Sequence, residues 1–201
     1  TQPFWKWKDL LWILVGTVLI FAIGSVVYGG YLWLTDFDPQ ELIQPTIELS
    51  LALAALEAVA LAGGVYFFGI RRRRLGWSAV GLQHANRRWL LIATLVTLIT
   101  VPLIGLVTIL VLLVLKVPLD NPQMDFLLPE GYSRLSAVGM LLLAGIAAPF
   151  AEELLFRGIL YQIMRDRWGK WWAVLLSAMI FGVIHGNLAI GLTAFLLGVI
   201  L

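Results

Sequence analysis

The chain has 201 residues, of which 61% are hydrophobic and only 13% are charged, and it has no cysteine. Soluble domains are about half apolar and about a quarter charged, so this composition excludes an ordinary soluble domain and indicates an integral membrane protein. The lack of cysteine excludes disulfides and thiolate metal sites. The net charge of +2 is too small to indicate a partner by itself.

Five apolar stretches are predicted to span a membrane, and a sixth begins near the end of the sequence. The fourth stretch carries two adjacent glutamates, and the fifth carries a histidine. The sequence starts at Thr1 rather than at a methionine and stops inside an apolar run, so we expect a fragment of a longer protein. The predicted spans are Leu10–Leu34, Leu49–Ile70, Trp89–Leu115, Ser136–Met164 and Trp171–Asn187, with Gly191–Leu201 starting the sixth.

These stretches predict an all-α, polytopic bundle of transmembrane helices. We divide it into residues 1–135, with three spans, and residues 136–201, which carry the glutamates and the histidine. We find no internal repeat, and no loop is long enough to fold as a soluble domain.

The charges of the predicted loops alternate between acidic and basic. Arg71–Arg74 and the later Arg165–Lys170 are basic, whereas the first loop, Thr35–Glu48, carries only acidic charges. By the positive-inside rule, the N-terminus and both basic loops are cytoplasmic. A basic run can also indicate nucleic-acid binding. Between two spans we favour a topology signal that meets anionic lipid head groups, so we expect membrane lipid and no nucleic acid as a partner.

Two adjacent carboxylates, Glu152 and Glu153, lie inside the fourth predicted span. Ionisable groups in a membrane cost roughly 3 kcal/mol each, and they usually have a function. Residues four apart share a helix face, so Glu153 can pair with Arg157, and Glu152 lies near Phe156. The second carboxylate stays without a counter-charge, which suits a general base. Glu57, in the second span, either bonds across helices or lines the same cavity, and both alternatives stay open.

The fifth predicted span carries His185, with Phe181 four residues before it. At about 1.5 Å per residue, Glu152 lies ~18 Å from the end of its helix near Met164, and His185 lies ~21 Å from Trp171. Helices joined by a short turn are antiparallel neighbours. We therefore expect the carboxylates and the imidazole at a similar depth in the membrane.

Three smaller features accompany these residues. Pro149 is expected to free the carbonyl of Gly145 and to bend the fourth helix. Gly182 and Gly186 form a small-xxx-small pattern that lets helices approach. Asn187 could orient a water, but we favour a role as a left-handed residue that ends the fifth helix.

The order and spacing of these residues resemble a known family. EELLFR at residues 152–157, followed by FGVIH at residues 181–185, resembles the first two motifs of the CAAX-protease and bacteriocin-processing family (CPBP, or Abi). Those motifs read Glu-Glu-x-x-x-Arg and Phe-x-x-x-His. The resemblance covers about residues 137–201 and implies that residues 136–201 are a partial core of an intramembrane protease.

The resemblance implies an endopeptidase that cleaves membrane-associated or prenylated substrates. Glu152 would be the general base that activates a water, and Glu153 would be held by Arg157 as an orienting ion pair. His185 would polarise the water or the carbonyl, or it would bind a metal. The family has a later motif, a second histidine followed four residues on by Asn or Asp, and this sequence does not contain it.

Metal use stays open at this point. Family members are called metalloproteases, and a divalent metal, zinc before others, would be bound by Glu152 and His185. A catalytic zinc usually has three protein ligands. A glutamate mechanism without a metal would use the same residues.

Two other functions compete with the endopeptidase. One is a non-catalytic membrane scaffold or assembly factor on the same fold, with a membrane-protein partner and the Glu–Arg pair as a structural clasp. The other is a proton-coupled transporter in which Glu and His relay protons. The lack of visible repeat symmetry counts against the transporter.

Overall fold

The computed structural model of the protein describes residues 4–35, 46–118, 127 and 133–200. This part of the chain is helical and contains no strand, which confirms the predicted all-α, polytopic bundle. Most of the acidic residues of the predicted acidic loop, Thr35–Glu48, lie outside the described residues. The helices are α1 (Trp7–Leu34), α2 (Ile47–Arg71), α3 (Arg87–Leu115), α4 (Arg134–Trp168), α5 (Lys170–Val183) and α6 (Leu188–Ile200), with a short 3₁₀ turn at Trp77–Val80.

The first four helices are long and apolar enough to cross a membrane. The fifth differs from the prediction, because α5 has 14 residues and ends at Val183 rather than at Asn187. At about 1.5 Å per residue it is ~21 Å long, which is shorter than the ~30 Å hydrocarbon core. The fifth predicted span is therefore a short helix followed by a turn.

Two of the spanning helices contain wider, π-helical turns. In α2 such a segment covers Gly64–Arg71, and in α4 there are two, at Leu143–Ala147 and Phe156–Leu160. The first of those in α4 directly precedes the α-helical segment Ala148–Leu155, which has Pro149 in its first turn. A proline lacks the N–H that a regular helix needs, so a widened turn directly before Pro149 fits the predicted release of the Gly145 carbonyl. The predicted bend of the helix stays a prediction.

One compact unit contains α1, α2, the 3₁₀ turn and α4 up to Ile159. Its helices approach closely at small residues. A Cβ on Gly64 would lie 3.0 Å from the backbone oxygen of Ile13 and against Thr17, and one on Gly24 would meet Leu56. Glycine at these positions therefore sets the spacing between α1 and α2.

A second compact unit contains α3, α4 from Leu160, α5 and α6. A Cβ on Gly182 of α5 would lie 2.6 Å from the backbone oxygen of Gly191 of α6. Farther along the same pair of helices, a Cβ on Gly198 would lie 2.9 Å from that of Ala178. The predicted role of Gly182 in close packing is thus confirmed.

Candidate active site

The two glutamates lie at the middle of the longest spanning helix. Glu152 comes 18 residues after Arg134 and 16 residues before Trp168, near the middle of the 35 residues of α4. Glu152 is partly buried and Glu153 is exposed. A charged group at this level needs a polar partner or a water-lined space.

The predicted pair between Glu153 and Arg157 is present. Arg157 Nε lies 3.5 Å from Glu153 Oε2, and 54% of the Glu153 side chain is exposed. Both residues belong to α4, so this contact joins two turns of one helix and does not itself hold two helices together. The contact is the one predicted from the spacing of the two residues, and the orienting role of Arg157 stays a prediction.

A third carboxylate, Glu57 on α2, belongs to the same group. Helix α2 packs against the segment of α4 that carries Glu152, and Glu57 is close enough to interact electrostatically with Glu152. The sequence alone left the position of Glu57 open, because no local spacing relates α2 to α4. The structure favours the alternative in which it shares the surroundings of Glu152.

The turn after the glutamates is held in place by tight packing. Phe156 is buried, and a Cβ on Gly158 would lie 2.9 Å from the Cβ of Val80 and 3.0 Å from its backbone oxygen. The π-helical turn that carries Arg157 therefore rests directly on the 3₁₀ turn. Such π-helical insertions are frequent at functional sites.

His185 lies in the turn after α5, and Phe181 of the same motif holds its imidazole in place. The imidazole Nδ1 is 2.7 Å from the backbone oxygen of Phe181. The ring of Phe181 meets the imidazole edge to face, with centroids 5.0 Å apart. Because a carbonyl oxygen only accepts, Nδ1 carries the proton, and in a neutral ring Nε2 is then the acceptor. Phe181 thus sets both the tautomer and the orientation of His185.

Two predictions about this turn are wrong. Gly186 does not pack between helices, since its φ is 66° and a Cβ there would meet nothing within 4 Å. Asn187 does not end α5; its Oδ1 accepts hydrogen bonds from the N–H groups of Ala189 (2.9 Å) and Ile190 (3.1 Å). Asn187 is therefore the N-terminal cap of α6, which is a common role for Asn.

The glutamates and His185 belong to different compact units. Their convergence at one depth stays a prediction, as do their catalytic roles. For a metal, no group of three or more His, Asp or Glu side chains within the described ranges could hold an ion. A catalytic zinc usually has three protein ligands. The binding of a metal by Glu152 and His185 stays a prediction.

Four apolar helices of spanning length, with ionisable residues at the middle of one of them, define a polytopic integral membrane protein. Residues 134–201 match the family model of type II CAAX prenyl endopeptidase Rce1-like proteins. This match covers α4 with the Glu-Glu-x-x-x-Arg motif and the turn with the Phe-x-x-x-His motif. It confirms the resemblance to the CPBP family over this segment. No curated protein and no solved structure matches the chain.

Proposed function

We propose that the protein is an intramembrane endopeptidase that hydrolyses peptide bonds of prenylated or otherwise membrane-associated substrates. The observation that carries the proposal is the fixed imidazole of His185. Its Nδ1 is held by the Phe181 carbonyl at 2.7 Å, so Nε2 is the nitrogen that can act on another group. The match of residues 134–201 to an endopeptidase family supports the same conclusion.

In this mechanism Glu152 is the general base. It takes a proton from a water as the water oxygen attacks the carbonyl carbon of the peptide bond, and it then gives that proton to the leaving amine. His185, with its proton on Nδ1, accepts a hydrogen bond from the same water through Nε2 and so orients it. An accepting nitrogen cannot donate to the developing oxyanion. For this reason we assign His185 to the water rather than to the substrate carbonyl.

Glu153 and Arg157 have a positioning role in this mechanism. Their contact of 3.5 Å within one helix keeps a cation one turn away from Glu152. Arg157 thereby compensates one of the two adjacent carboxylates and leaves the other to act as the base. The level of Glu152 along α4 suits a scissile bond next to a lipid group, because the lipid chain can stay in the hydrocarbon.

The test is a cleavage assay on the purified protein in liposomes. The probe is a farnesylated peptide with a C-terminal CAAX sequence, and the released tripeptide is measured by mass spectrometry. We expect Glu152→Gln to lower the rate to background, a loss of at least about 10³-fold. Glu48→Gln is the matched control, because Glu48 is an exposed glutamate in the first turn of α2, and it should leave the rate unchanged.

Two results would contradict the proposal. Wild-type cleavage by the Glu152→Gln variant would exclude Glu152 as the base. If the wild-type protein cleaves no prenylated or membrane-embedded peptide, while Glu152→Gln prevents assembly with a membrane-protein partner, the scaffold function replaces the endopeptidase.

A further inference from the structure

A buried aspartate organises the basic residues at one end of the first compact unit. Asp9, in the first turn of α1, is 2% exposed. Its Oδ1 accepts a hydrogen bond from Arg72 at 2.6 Å, and its Oδ2 accepts one from Arg73 at 3.1 Å. The N–H of Lys6 also donates to Oδ2, at 3.1 Å. One carboxylate thus holds two arginines side by side at the end of α2.

Aromatic side chains also hold the same two arginines through cation–π contacts. The guanidinium of Arg73 lies 5.3 Å from the ring centroid of Trp5, and that of Arg72 lies 5.8 Å from that of Trp12. Trp5 is fully buried, and its Nε1 donates to the backbone oxygen of Ala79 at 3.0 Å. Arg72 also donates through Nε to the oxygen of Phe68 at 2.8 Å. These contacts hold both guanidinium groups in place before any ligand binds.

The charge of this region is far from balanced. Asp9 is the single acidic residue among residues 4–12 and 71–81. The same two segments carry six basic residues, which we name the basic patch: Lys6, Lys8, Arg71, Arg72, Arg73 and Arg74. Lys8, Arg71 and Arg74 are exposed. The side chains of Arg72 and Arg73 are still 36% and 30% exposed. The patch therefore presents a strong positive charge beyond what Asp9 neutralises.

Arg74 has an unusual backbone for its residue type. Its φ is 55°, in the left-handed region that favours glycine. The turn is closed by the N–H of Arg74 on the oxygen of Arg71 (3.0 Å) and that of Leu75 on Ile70 (2.9 Å). Arg74 therefore holds an exposed cation at a backbone position that glycine would adopt with less strain.

The start of α1 and the 3₁₀ turn that follows the arginines carry aromatic residues typical of a membrane–water interface. Trp7, Trp12 and Trp77 are each between 41% and 49% exposed. Tryptophans at this level of a spanning helix lie among the lipid head groups. The phosphate groups of lipids are the anions held at this depth of the membrane. Arginine binds phosphate oxygens in a fork geometry.

We propose that the basic patch is a binding site for the head group of an anionic phospholipid. Arg72 and Arg73, fixed by Asp9 and the tryptophans, form its rigid floor. Arg71 and Arg74 supply the additional charge that selects an anionic over a zwitterionic head group. The site uses none of the residues assigned to the endopeptidase mechanism, and the proposal does not depend on that activity.

The test compares two lipids that differ only in the head group, dioleoyl phosphatidylglycerol and dioleoyl phosphatidylcholine. Each is titrated into the purified full chain in detergent, and bound lipid is counted by native mass spectrometry. We expect the anionic lipid to bind at least about tenfold more tightly. Removing two cations with Arg71→Gln and Arg74→Gln should weaken the binding of phosphatidylglycerol by roughly 30-fold. It should change the binding of phosphatidylcholine little.

The matched control removes the same charge elsewhere. Arg87→Gln with Arg88→Gln changes two exposed arginines at the start of α3, and we expect less than about a twofold effect on the anionic lipid. If both double variants lose the same affinity for the anionic lipid, binding depends on surface charge in general rather than on the basic patch, and the proposal is overturned. Equal affinity of the wild-type protein for both lipids would overturn it as well.

A second variant separates binding from folding. Arg74→Gly removes one cation but suits the left-handed turn, so the turn should form at least as readily as in the wild-type protein. We expect it to weaken binding of the anionic lipid about fivefold. Unchanged binding by this variant would contradict the role of Arg74.

Discussion

The close crossing of α5 and α6 makes a strong prediction at Gly182. A Cβ there would lie 2.6 Å from the Gly191 oxygen and 3.0 Å from the Cβ of Phe195. Carbon–oxygen contacts between backbones are normally about 3.3 Å or longer. The two helices must therefore separate by roughly 0.7 Å when Gly182 is replaced by alanine.

The size of the effect follows from two opposing contributions. Overpacking a close contact costs about 1–3 kcal/mol, and the upper part of that range applies because backbone rather than a flexible side chain has to move. Alanine is favoured over glycine in a helix by about 1 kcal/mol. We therefore expect Gly182→Ala to lower the free energy of unfolding by about 2 kcal/mol. A helix shift of this size three residues before His185 should also lower the cleavage rate, up to about 10²-fold.

The assay is reversible unfolding of the purified protein in mixed micelles, followed by circular dichroism, with the cleavage rate measured on the same samples. Gly105→Ala in α3 is the matched control, since a Cβ there would meet nothing within 4 Å. It should raise stability by at most about 1 kcal/mol. If Gly182→Ala is as stable as this control, the α5–α6 contact described above is wrong.

Two further substitutions test other parts of the fold. Asp9→Asn should lower the free energy of unfolding by about 2 kcal/mol. The loss is smaller than for a fully buried ion pair because both arginines are about one third exposed. The same unfolding assay measures it, and a loss below about 0.5 kcal/mol would contradict a stabilising contact of Asp9 with the two arginines. Asn187→Ala should cost about 1 kcal/mol by removing the cap of α6, whereas Asn187→Asp keeps an acceptor and should stay near wild type. Equal losses in the two Asn187 variants would refute the capping role.

The spanning helices could be predicted closely from the sequence. The predicted limits of the first and third spans, Leu10–Leu34 and Trp89–Leu115, differ from α1 and α3 by three residues at most. Long apolar runs with charged flanks leave few alternatives for a membrane helix. The Glu153–Arg157 contact could also be predicted, because it depends only on the spacing of one helix.

The remaining features depend on backbone details and on contacts between distant residues. The end of α5 is hard to predict from the sequence because Asn187 can either end one helix or begin the next. The positive φ of Gly186, directly before it, decides between the two roles. The contact of Asp9 with Arg72 cannot be predicted from local spacing, because it joins residues 63 positions apart.

The central claim is that Glu152 and His185 act at one site, and cross-linking tests it most directly. The chain has no cysteine, so a Glu152→Cys/His185→Cys pair can be joined by a short thiol-specific reagent without background. Thr108→Cys/Thr193→Cys is the positive control, because these hydroxyls lie 3.1 Å apart. We expect both pairs to cross-link in membranes. A control pair that reacts while the Glu152–His185 pair does not would contradict a shared site.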